Sequence, residues 1–398
     1  NVGMRGIRYY SMLDGSGYCM AAAALVRSLV NTGVPVQWIP LLWQPGNRPP
    51  LRLDTHAALA TPFVQANQTQ QAWQDLPALL RATQEPVDAD TVIVHTVPEF
   101  WPALSEPGRR NIGHTVWETT RLPLHWVPLC NSMQGVIVPC EFNRAVFEQS
   151  GCRVPVMVLP HLRRTQWREF NKNKKAQCRK DWGIRDDAFT FYSINTWNIR
   201  KNMELMLSAF ASAFAPAAPV QLVVKTVVHD YIQQQPYRKE TLPTYLDGLL
   251  QSLEQRLGRA LPTMAFIADA FVPNDAIDAL HQLGDCFVSL SHGEGWGLGA
   301  FDAATYGNPV VAPHWGGLRD YLPQGWSGAM PHHLEQVPIW PPHKPSYWSD
   351  QQWAGVQLAD AAGALQTAWR DAAARQQEAL TIQARISDTF SEYRVAAT

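Results

Sequence analysis

Short apolar runs alternate with helix-like stretches along most of the chain, and this alternation constrains the fold more than any other feature. The first half has strand candidates at residues 7–12, 34–39, 91–95, 135–138 and 156–159. The second half has them at residues 189–195, 220–225, 264–267, 286–290 and 309–312. Strands separated by helices form parallel sheets that are covered on both faces. We therefore predict an α/β chain of two doubly wound domains whose sheets face a cleft, where ligands bind.

The boundary between the domains is expected in a basic stretch from Arg163 to Lys180, which lacks apolar periodicity over most of its length. We predict an N-terminal domain at 1–162, a basic interdomain linker at 163–188 and a C-terminal domain at 189–374. A helix at 375–398 follows, and its packing against the N-terminal domain is left open. The Ala-rich stretch 359–388 is predicted to be helical throughout.

Composition excludes several classes of protein. A hydrophobic fraction of 46% and a charged fraction of 17% are typical of globular chains. The net charge of -1 gives no global field that would recruit a polyanion. Six cysteines lack metal or redox spacing. No apolar run approaches the ~20 residues of a membrane helix, and the first residues lack a secretory pattern. We expect a cytoplasmic protein, with peripheral membrane contact left open.

The most specific segment is a glycine-rich turn at 289–304, in which four glycines at alternate positions follow a strand and lead into a helix. Glycines let the backbone approach a ligand closely, and the N–H groups that open a helix can hold an anion. Glu294 lies in the turn and Asp302 just inside the helix. This spacing lets both carboxylates face one ligand that carries two sets of hydroxyls.

This segment resembles the donor-binding signature of the retaining GT-B glycosyltransferases that carry two glutamates separated by seven residues. Glu294 matches the first glutamate, whereas Asp302 replaces the second. The likeness continues through 306–312 and through Gly316, Gly317 and Asp320. It implies a role for Glu294 at the donor sugar and for Asp302 at the ribose. It places the donor along the turn, at Gly295, Trp296, Gly297 and Leu298.

The segment 195–202 is similar to the one that follows the first strand of the donor domain in that family. Lys201 takes the place of the lysine that contacts the donor pyrophosphate. The family often has an arginine where this chain has Asn195, so the remaining phosphate charge is assigned to Arg200 or Lys225.

In the N-terminal half, the loop Gly15, Ser16, Gly17 resembles the family's first glycine-rich loop near the donor phosphates. His95 ends a predicted strand, and the family often has a histidine there beside the sugar; a structural role is the alternative. His114, Trp117 and Glu118 are acceptor-side candidates. Some of the 16 tryptophans are expected to line an acceptor groove. The candidates lie near predicted loops: Trp101, Trp117, Trp126, Trp296 and Trp315.

The resemblance implies transfer of a sugar from a nucleoside diphosphate to an acceptor hydroxyl with retention, in glycoconjugate synthesis. Glu294, Lys201 and His95 are the catalytic candidates. No essential metal and no other cofactor is expected. A saccharide, lipid-linked or nucleic acid acceptor stays open. Three alternatives remain: an epimerase, a phosphorylase with pyridoxal phosphate, and a non-catalytic nucleotide-sugar-binding subunit.

Overall fold

The computed structural model describes residues 5–46, 48–67, 74–226, 242–267, 274–338 and 346–396. The chain divides into two compact units. The first unit comprises Asn1–Gln166 with Asp388–Thr398, and the second comprises Trp167–Ser387.

The first unit is built on a parallel sheet of seven strands in the order β3-β2-β1-β4-β5-β6-β7, in which only the short edge strand β3 runs antiparallel to its neighbour. Its strands are β1 Ile7–Met12, β2 Val36–Leu42, β3 Leu51–Arg52, β4 Thr91–His95, β5 Arg110–His114, β6 Gly135–Val138 and β7 Val156–Val158. Its helices before β7 are α1 Gly17–Asn31, α2 Thr55–Leu59, α3 Pro62–Asn67, α4 Leu76–Ala82, α5 Trp101–Leu104, α6 Trp126–Asn131 and α7 Glu141–Gln149.

The second unit has a parallel sheet of six strands in the order β10-β9-β8-β11-β12-β13, and a separate antiparallel pair formed by β14 and β15. The strands are β8 Phe189–Ile194, β9 Val220–Lys225, β10 Thr263–Ile267, β11 Cys286–Val288, β12 Val310–Pro313, β13 Ala329–Met330, β14 His333–Gln336 and β15 Gln352–Gly355. The helices of this half and of the C-terminus are α8 Lys172–Trp182, α9 Met203–Ala213, α10 Leu242–Leu257, α11 Asn274–Leu283, α12 Leu298–Tyr306, α13 Leu358–Arg370, α14 Ala372–Thr389 and α15 Glu392–Ala396.

Both sheets carry their own apolar core, which confirms the predicted fold class of two Rossmann-like sheets. In the first unit, buried side chains of β1, α1 and α4 pack together, among them Tyr9, Val26 and Leu79. In the second unit, α9 lays Met203, Leu207 and Phe210 against β8 and β9. The strands are buried because helices cover a parallel sheet, and this explains their continuous apolar runs.

The predicted linker at 163–188 is not an independent segment. Arg163 stays with the first unit, where its backbone N–H donates to the carbonyl of Phe390. From Trp167 onward the chain belongs to the second unit, where the N–H of Arg168 donates to Asp278 at 2.9 Å. Helix α8 follows, with Asn171 as its N-cap and Gly183 in the left-handed conformation at its end. The caps at Asn171 and Gly183 therefore stabilise α8 as an exposed basic helix, although its sequence lacks an apolar stripe.

The C-terminal prediction also needs correction, because the stretch 359–388 is two helices instead of one. Helix α13 ends at Arg370 and α14 begins at Ala372, with Asp371 between them at φ -101° and ψ 28°. The predicted last segment, 375–398, is split between the units. The part after Ser387 joins the first unit, where Asn31 donates to Glu392 at 3.2 Å.

Candidate functional site

The glycine-rich turn of the second unit connects the end of β11 to α12. Gly297 caps α12 with φ +84°, a conformation that side chains rarely adopt. The hydroxyl of Tyr321 donates to the carbonyls of Trp296 and Gly297, 2.9 Å from each. Tyr321 therefore fixes the turn through its backbone carbonyl groups. Helix α12 begins at Leu298, so the N–H groups of its first turn lie at the end of the glycine-rich turn.

Gly316 and Gly317 lie directly against this turn. The N–H of Gly317 donates to the carbonyl of Glu294 at 2.9 Å. A Cβ atom on Gly317 would lie 2.2 Å from the carbonyl oxygen of Gly295, and one on Gly316 would lie 2.6 Å from that of Glu294. Both distances are far below van der Waals contact, so the absence of side chains at 316 and 317 lets the two backbones meet and fixes the position of Glu294.

A second loop, 195–202, leaves β8 and is tied to the glycine-rich turn by the backbone. The side chain of Asn198 accepts from the N–H of Lys201 at 3.2 Å and closes a short helical turn at Ile199–Lys201. The N–H of His292 donates to the carbonyl of Arg200 at 2.8 Å. Because β8 and β11 are neighbours in the sheet, these two loops emerge side by side at the carboxyl ends of their strands.

The two loops bring two cations onto one carboxylate. Lys201 Nζ donates to Glu294 Oε1, and Arg200 Nη1 lies 3.3 Å from Glu294 Oε2. Arg200 also donates to the carbonyl of Gly293 at 2.6 Å. The three charged side chains are between 14% and 18% exposed, so they are shielded without being sealed from solvent.

Burial alone would raise the pKa of Glu294, but the charges of Lys201 and Arg200 outweigh it and hold the pKa at about 2. Glu294 is therefore ionised at neutral pH. With two cations and one anion, the group carries a net charge of +1, which favours an anionic ligand.

The remaining donor-side candidates lie in the same unit. Asp302 is in the second turn of α12 and is only 8% exposed. Asn195 follows β8, where its side chain donates to Ser193 at 2.9 Å and its N–H donates to the carbonyl of Lys225. Lys225 is partly buried at the end of β9. Asn195 and Lys225 are thus adjacent at neighbouring strand ends.

The N-terminal candidates lie in the first unit. Gly15 has φ +76°, Ser16 accepts from the N–H of Cys19, and α1 begins at Gly17. The rings of His95 and His114 stack with centroids 3.7 Å apart and planes 5° from parallel. Glu118 is half-buried close by in sequence.

Four of the five tryptophan candidates are buried, which leaves Trp315 as the candidate for an acceptor groove. Trp101, Trp117, Trp126 and Trp296 are each no more than 3% exposed and pack in the core. Trp117 donates its Nε1–H to Thr119 and to the carbonyl of Arg121, at 2.7 and 2.8 Å. With only 3% of its surface exposed, the ring of Trp117 has no open face for stacking on an acceptor. Trp315 remains partly exposed.

Sequence reasoning did not single out His292, which links the glycine-rich turn to the β14–β15 pair. Its ring stacks on Trp353 with centroids 4.5 Å apart, and its Nδ1 lies 2.6 Å from the carbonyl oxygen of Ala354. The N–H of Ala354 donates back to the carbonyl of His292 at 2.8 Å. The sequence signal available was a histidine inside the glycine-rich segment, but its partners lie about sixty residues further along the chain.

Comparisons with known proteins give a consistent fold and weak sequence similarity. No protein-family model matches the chain. An alpha-monoglucosyldiacylglycerol synthase of Streptococcus pneumoniae is 24% identical over 185 residues, which are 46% of this chain and 38% of that protein. The similarity thus spans well under half of the length of this relative.

Several solved structures superimpose on nearly the whole chain. HepE from Anabaena, in complex with UDP and glucose, matches with a TM-score of 0.61 at 15% identity over 99% of this chain and 97% of that one. The sucrose-phosphate synthase of Thermosynechococcus elongatus matches with a TM-score of 0.65 at 14% identity over 99% and 96%. An alpha,alpha-trehalose 6-phosphate synthase from Burkholderia multivorans matches with 0.59 at 14% over 99% and 97%.

At sequence identities of 14% to 15%, the likeness to these solved structures shows the fold alone. Within the residues that the structure describes, no helix has the length and apolar character needed to cross a bilayer. The solved structures cover 98% to 99% of the chain at TM-scores of 0.61 to 0.65, and the chain is therefore a protein of the GT-B fold.

Proposed function

We propose that this protein is a glycosyltransferase that moves a sugar from a nucleoside-diphosphate sugar to an acceptor hydroxyl. The observation that carries the proposal is the convergence of Arg200 and Lys201 on Glu294, where two parallel strands end. Ligands of doubly wound sheets bind at the carboxyl ends of the strands. A cationic pair next to an ionised carboxylate offers contacts to both a diphosphate and sugar hydroxyls.

The diphosphate is assigned to Lys201, to Arg200 and to the N–H groups at the start of α12. Charge-assisted hydrogen bonds to phosphate are each worth about 1.5–3 kcal/mol. The partial positive charge at the opening of a helix adds to this attraction. These groups also stabilise the negative charge that develops on the leaving diphosphate. Lys225 and Asn195 are secondary candidates at the neighbouring strand ends.

The two carboxylates are assigned to the hydroxyls of the donor. Glu294 is ionised and can accept from sugar hydroxyls through both oxygens. Asp302, at the second position of the carboxylate pair, is assigned to the ribose. The shorter side chain of Asp302 requires the ribose to lie closer to α12 than it would for a glutamate.

The solved structures with this fold support a UDP-sugar as the first donor to test. Anabaena HepE has been solved with UDP and glucose and with UDP-glucose. The curated relative from Streptococcus pneumoniae is a glucosyl lipid synthase by name. UDP-glucose is accordingly the first candidate for this chain, and the acceptor is left as a hydroxyl of a saccharide, lipid-linked or other molecule.

We further propose that the reaction retains the anomeric configuration. The bond between the anomeric carbon and the phosphate oxygen breaks, and the acceptor oxygen forms its bond on the same face. The acceptor proton passes to the departing phosphate oxygen, so no separate general base is required. Stabilisation of the leaving group by Arg200 and Lys201 makes this route accessible.

A thermal-shift screen with UDP-, GDP-, ADP- and TDP-sugars tests the donor site. Donor binding stabilises the folded state by mass action, by about 2.7 kcal/mol at a hundredfold excess over Kd. Turnover of the stabilising donor, with and without an acceptor panel, then separates a transferase from a non-catalytic subunit. Release of an epimerised nucleotide sugar without transfer would identify an epimerase. Stabilisation by none of the donors would reject the proposal.

A further inference from the structure

Three neighbouring strands of the first unit place Tyr9, His95 and His114 on one face of the sheet. His95 and His114 are in register on β4 and β5, so their side chains emerge beside each other. His95 is also in register with Ser11 of β1, and Tyr9 lies two residues before Ser11 on the same face. The register of the sheet therefore produces the stacked pair of imidazoles and sets a phenol next to it.

The hydroxyl of Tyr9 is shared between the two histidines. Tyr9 Oη lies 2.8 Å from Nδ1 of His95 and 3.1 Å from Nδ1 of His114. Tyr9 is only 1% exposed, and both histidines are 4% exposed, so water does not compete for these contacts. The hydroxyl has one proton to donate, and its oxygen can accept another hydrogen bond.

The number of protons allows one arrangement in which every close contact is a hydrogen bond. Tyr9 donates to one Nδ1, which must then be unprotonated, and accepts from the other Nδ1, which must carry hydrogen. Two unprotonated Nδ1 atoms would leave one contact without a proton. Two protonated ones would leave the phenol proton without an acceptor among the described residues around Tyr9. A buried polar group without a partner costs about 1–3 kcal/mol.

The charge state of the cluster agrees with this count. Burial lowers the pKa of both histidines, that of His114 to about 3, and the neighbouring imidazole of His161 lowers both further. Burial raises the pKa of Tyr9 and of Tyr18, whose ring packs edge-on to His95. At neutral pH both phenols are therefore protonated and both imidazoles uncharged, so each imidazole exists as one of two tautomers.

We propose that Tyr9 holds His95 and His114 in opposite tautomers, so that their Nε2 atoms offer one hydrogen-bond donor and one acceptor side by side. The Nε2 edge of each ring points away from the Tyr9 hydroxyl. A donor–acceptor pair of this kind matches a ligand hydroxyl, which both donates and accepts. Tyr9 is then a positioning residue, and the ligand part of the inference rests on the proposed function because a sugar supplies the hydroxyl.

Nitrogen-15 NMR of the full chain with labelled histidine tests the tautomers directly. Protonated and unprotonated ring nitrogens have distinct chemical shifts, and His95→Gln and His114→Gln identify the two sets of signals. We expect one ring with Nδ1–H and the other with Nε2–H. Tyr9→Phe keeps the ring and removes the hydroxyl, so His95 and His114 should no longer be held in opposite tautomers. The same tautomer in both rings of the unmodified protein would overturn the proposal.

A matched control is available in the second unit, where the hydroxyl of Tyr192 contacts Nδ1 of a single histidine, His281, at 2.7 Å. Tyr192→Phe removes a buried phenol of the same kind and should leave the His95 and His114 signals unchanged. If Tyr192→Phe changed these signals as much as Tyr9→Phe does, the change would reflect a general loss of packing order in the protein, and the proposal would fail.

The kinetic consequence is measured separately. With an active donor, Tyr9→Phe is expected to lower kcat/KM by about three- to tenfold, the effect of losing one well-placed hydrogen bond. If Tyr9→Phe abolished the opposite tautomers but left kcat/KM unchanged, the proposed contact of the two histidines with a ligand hydroxyl would be wrong. Opposite tautomers in a protein that transfers no sugar would contradict the proposed function and leave the role of Tyr9 intact.

Discussion

Lys201 and Glu294 form an ion pair in which both side chains are shielded, with exposures of 14% and 15%. Glu294 engages the positive charge that a diphosphate would use, because the Lys201 Nζ atom that donates to Glu294 is also the proposed phosphate donor. Donor binding must therefore share or rearrange this contact.

Removal of the carboxylate should separate nucleotide binding from turnover. In Glu294→Gln, Lys201 and Arg200 lose their anionic partner and the net charge of the group rises by one. We expect UDP to bind about threefold to tenfold more tightly, which corresponds to about 1 kcal/mol of relieved competition. Turnover should fall at least about tenfold, because the sugar loses an acceptor.

Calorimetry of UDP binding and initial rates with the active donor measure both effects. Asp186→Asn removes the same charge from an exposed position outside the site and serves as the control. Weaker UDP binding by Glu294→Gln would show instead that Glu294 is needed to order the two cations.

Removal of the lysine should weaken nucleotide binding without disturbing the fold. Lys201→Ala loses a charge-assisted bond to phosphate worth about 1.5–3 kcal/mol, so Kd for UDP should rise between about tenfold and a hundredfold. Lys172→Ala, which changes an exposed lysine on α8, should leave Kd unchanged. An unaltered Kd in Lys201→Ala would place the diphosphate elsewhere.

The assignment of Asp302 to the ribose predicts a selective effect. Asp302→Asn replaces one carboxylate acceptor by an amide donor, so it should weaken UDP binding more than Asp302→Glu does. Binding of inorganic pyrophosphate, which has no ribose, should be unaffected by Asp302→Asn. If Asn is tolerated and Glu abolishes binding, packing around the buried position in α12 decides the outcome and the ribose assignment is wrong.

The histidine cluster predicts that the protein loses stability in mild acid. In the folded state the pKa is about 3 for His114 and about 4 for His161, whereas an unfolded histidine titrates near about 6.5. Between these values the unfolded state binds more protons, so the free energy of unfolding falls as pH drops below about 6.5.

Urea unfolding between pH 7 and pH 5.5 measures this slope before most carboxylates titrate. His114→Gln removes one of the titrating groups and should make the slope shallower, whatever its effect on stability at pH 7. Equal slopes in both proteins would mean that His114 is not held neutral in the folded state.

Retention of configuration is tested on the first-formed product. Proton NMR of the glycoside made from an α-linked donor should show an α-linkage. A β-linked product would contradict the same-face mechanism and require a general base, for which His95, His114 and Glu118 would be the first residues to replace.

Much of the site could be predicted because its residues lie on two short segments. The glycines of 289–304 indicate close backbone approach, and Arg200 and Lys201 lie in the segment that follows a predicted strand, where a helix is expected to start. The burial of the four tryptophans could not be predicted, since a tryptophan near a loop has the same sequence context whether its indole faces solvent or the core. Trp117 can be buried without a penalty because Thr119 and the carbonyl of Arg121 satisfy its indole N–H.

Strand β5 could not be predicted from the sequence pattern. Its residues, Arg110–His114, include one large apolar side chain, and no alternation marks them as a strand. The strand forms because β4 and β6 flank it and provide hydrogen-bonding partners. His114 therefore could be named from the chain, but its stacking on His95 and its contact with Tyr9 could not.

The sequence by itself determined the alternation of strands and helices, the two doubly wound sheets and the glycine-rich turn, because these depend on local periodicity and on backbone freedom. The tertiary structure alone decided which side chains meet. Lys201 and Glu294 are 93 residues apart, and Tyr9 and His114 are 105 apart. Such pairs are set by strand order and register, which arise from packing the whole sheet and leave no mark in the spacing of the residues themselves.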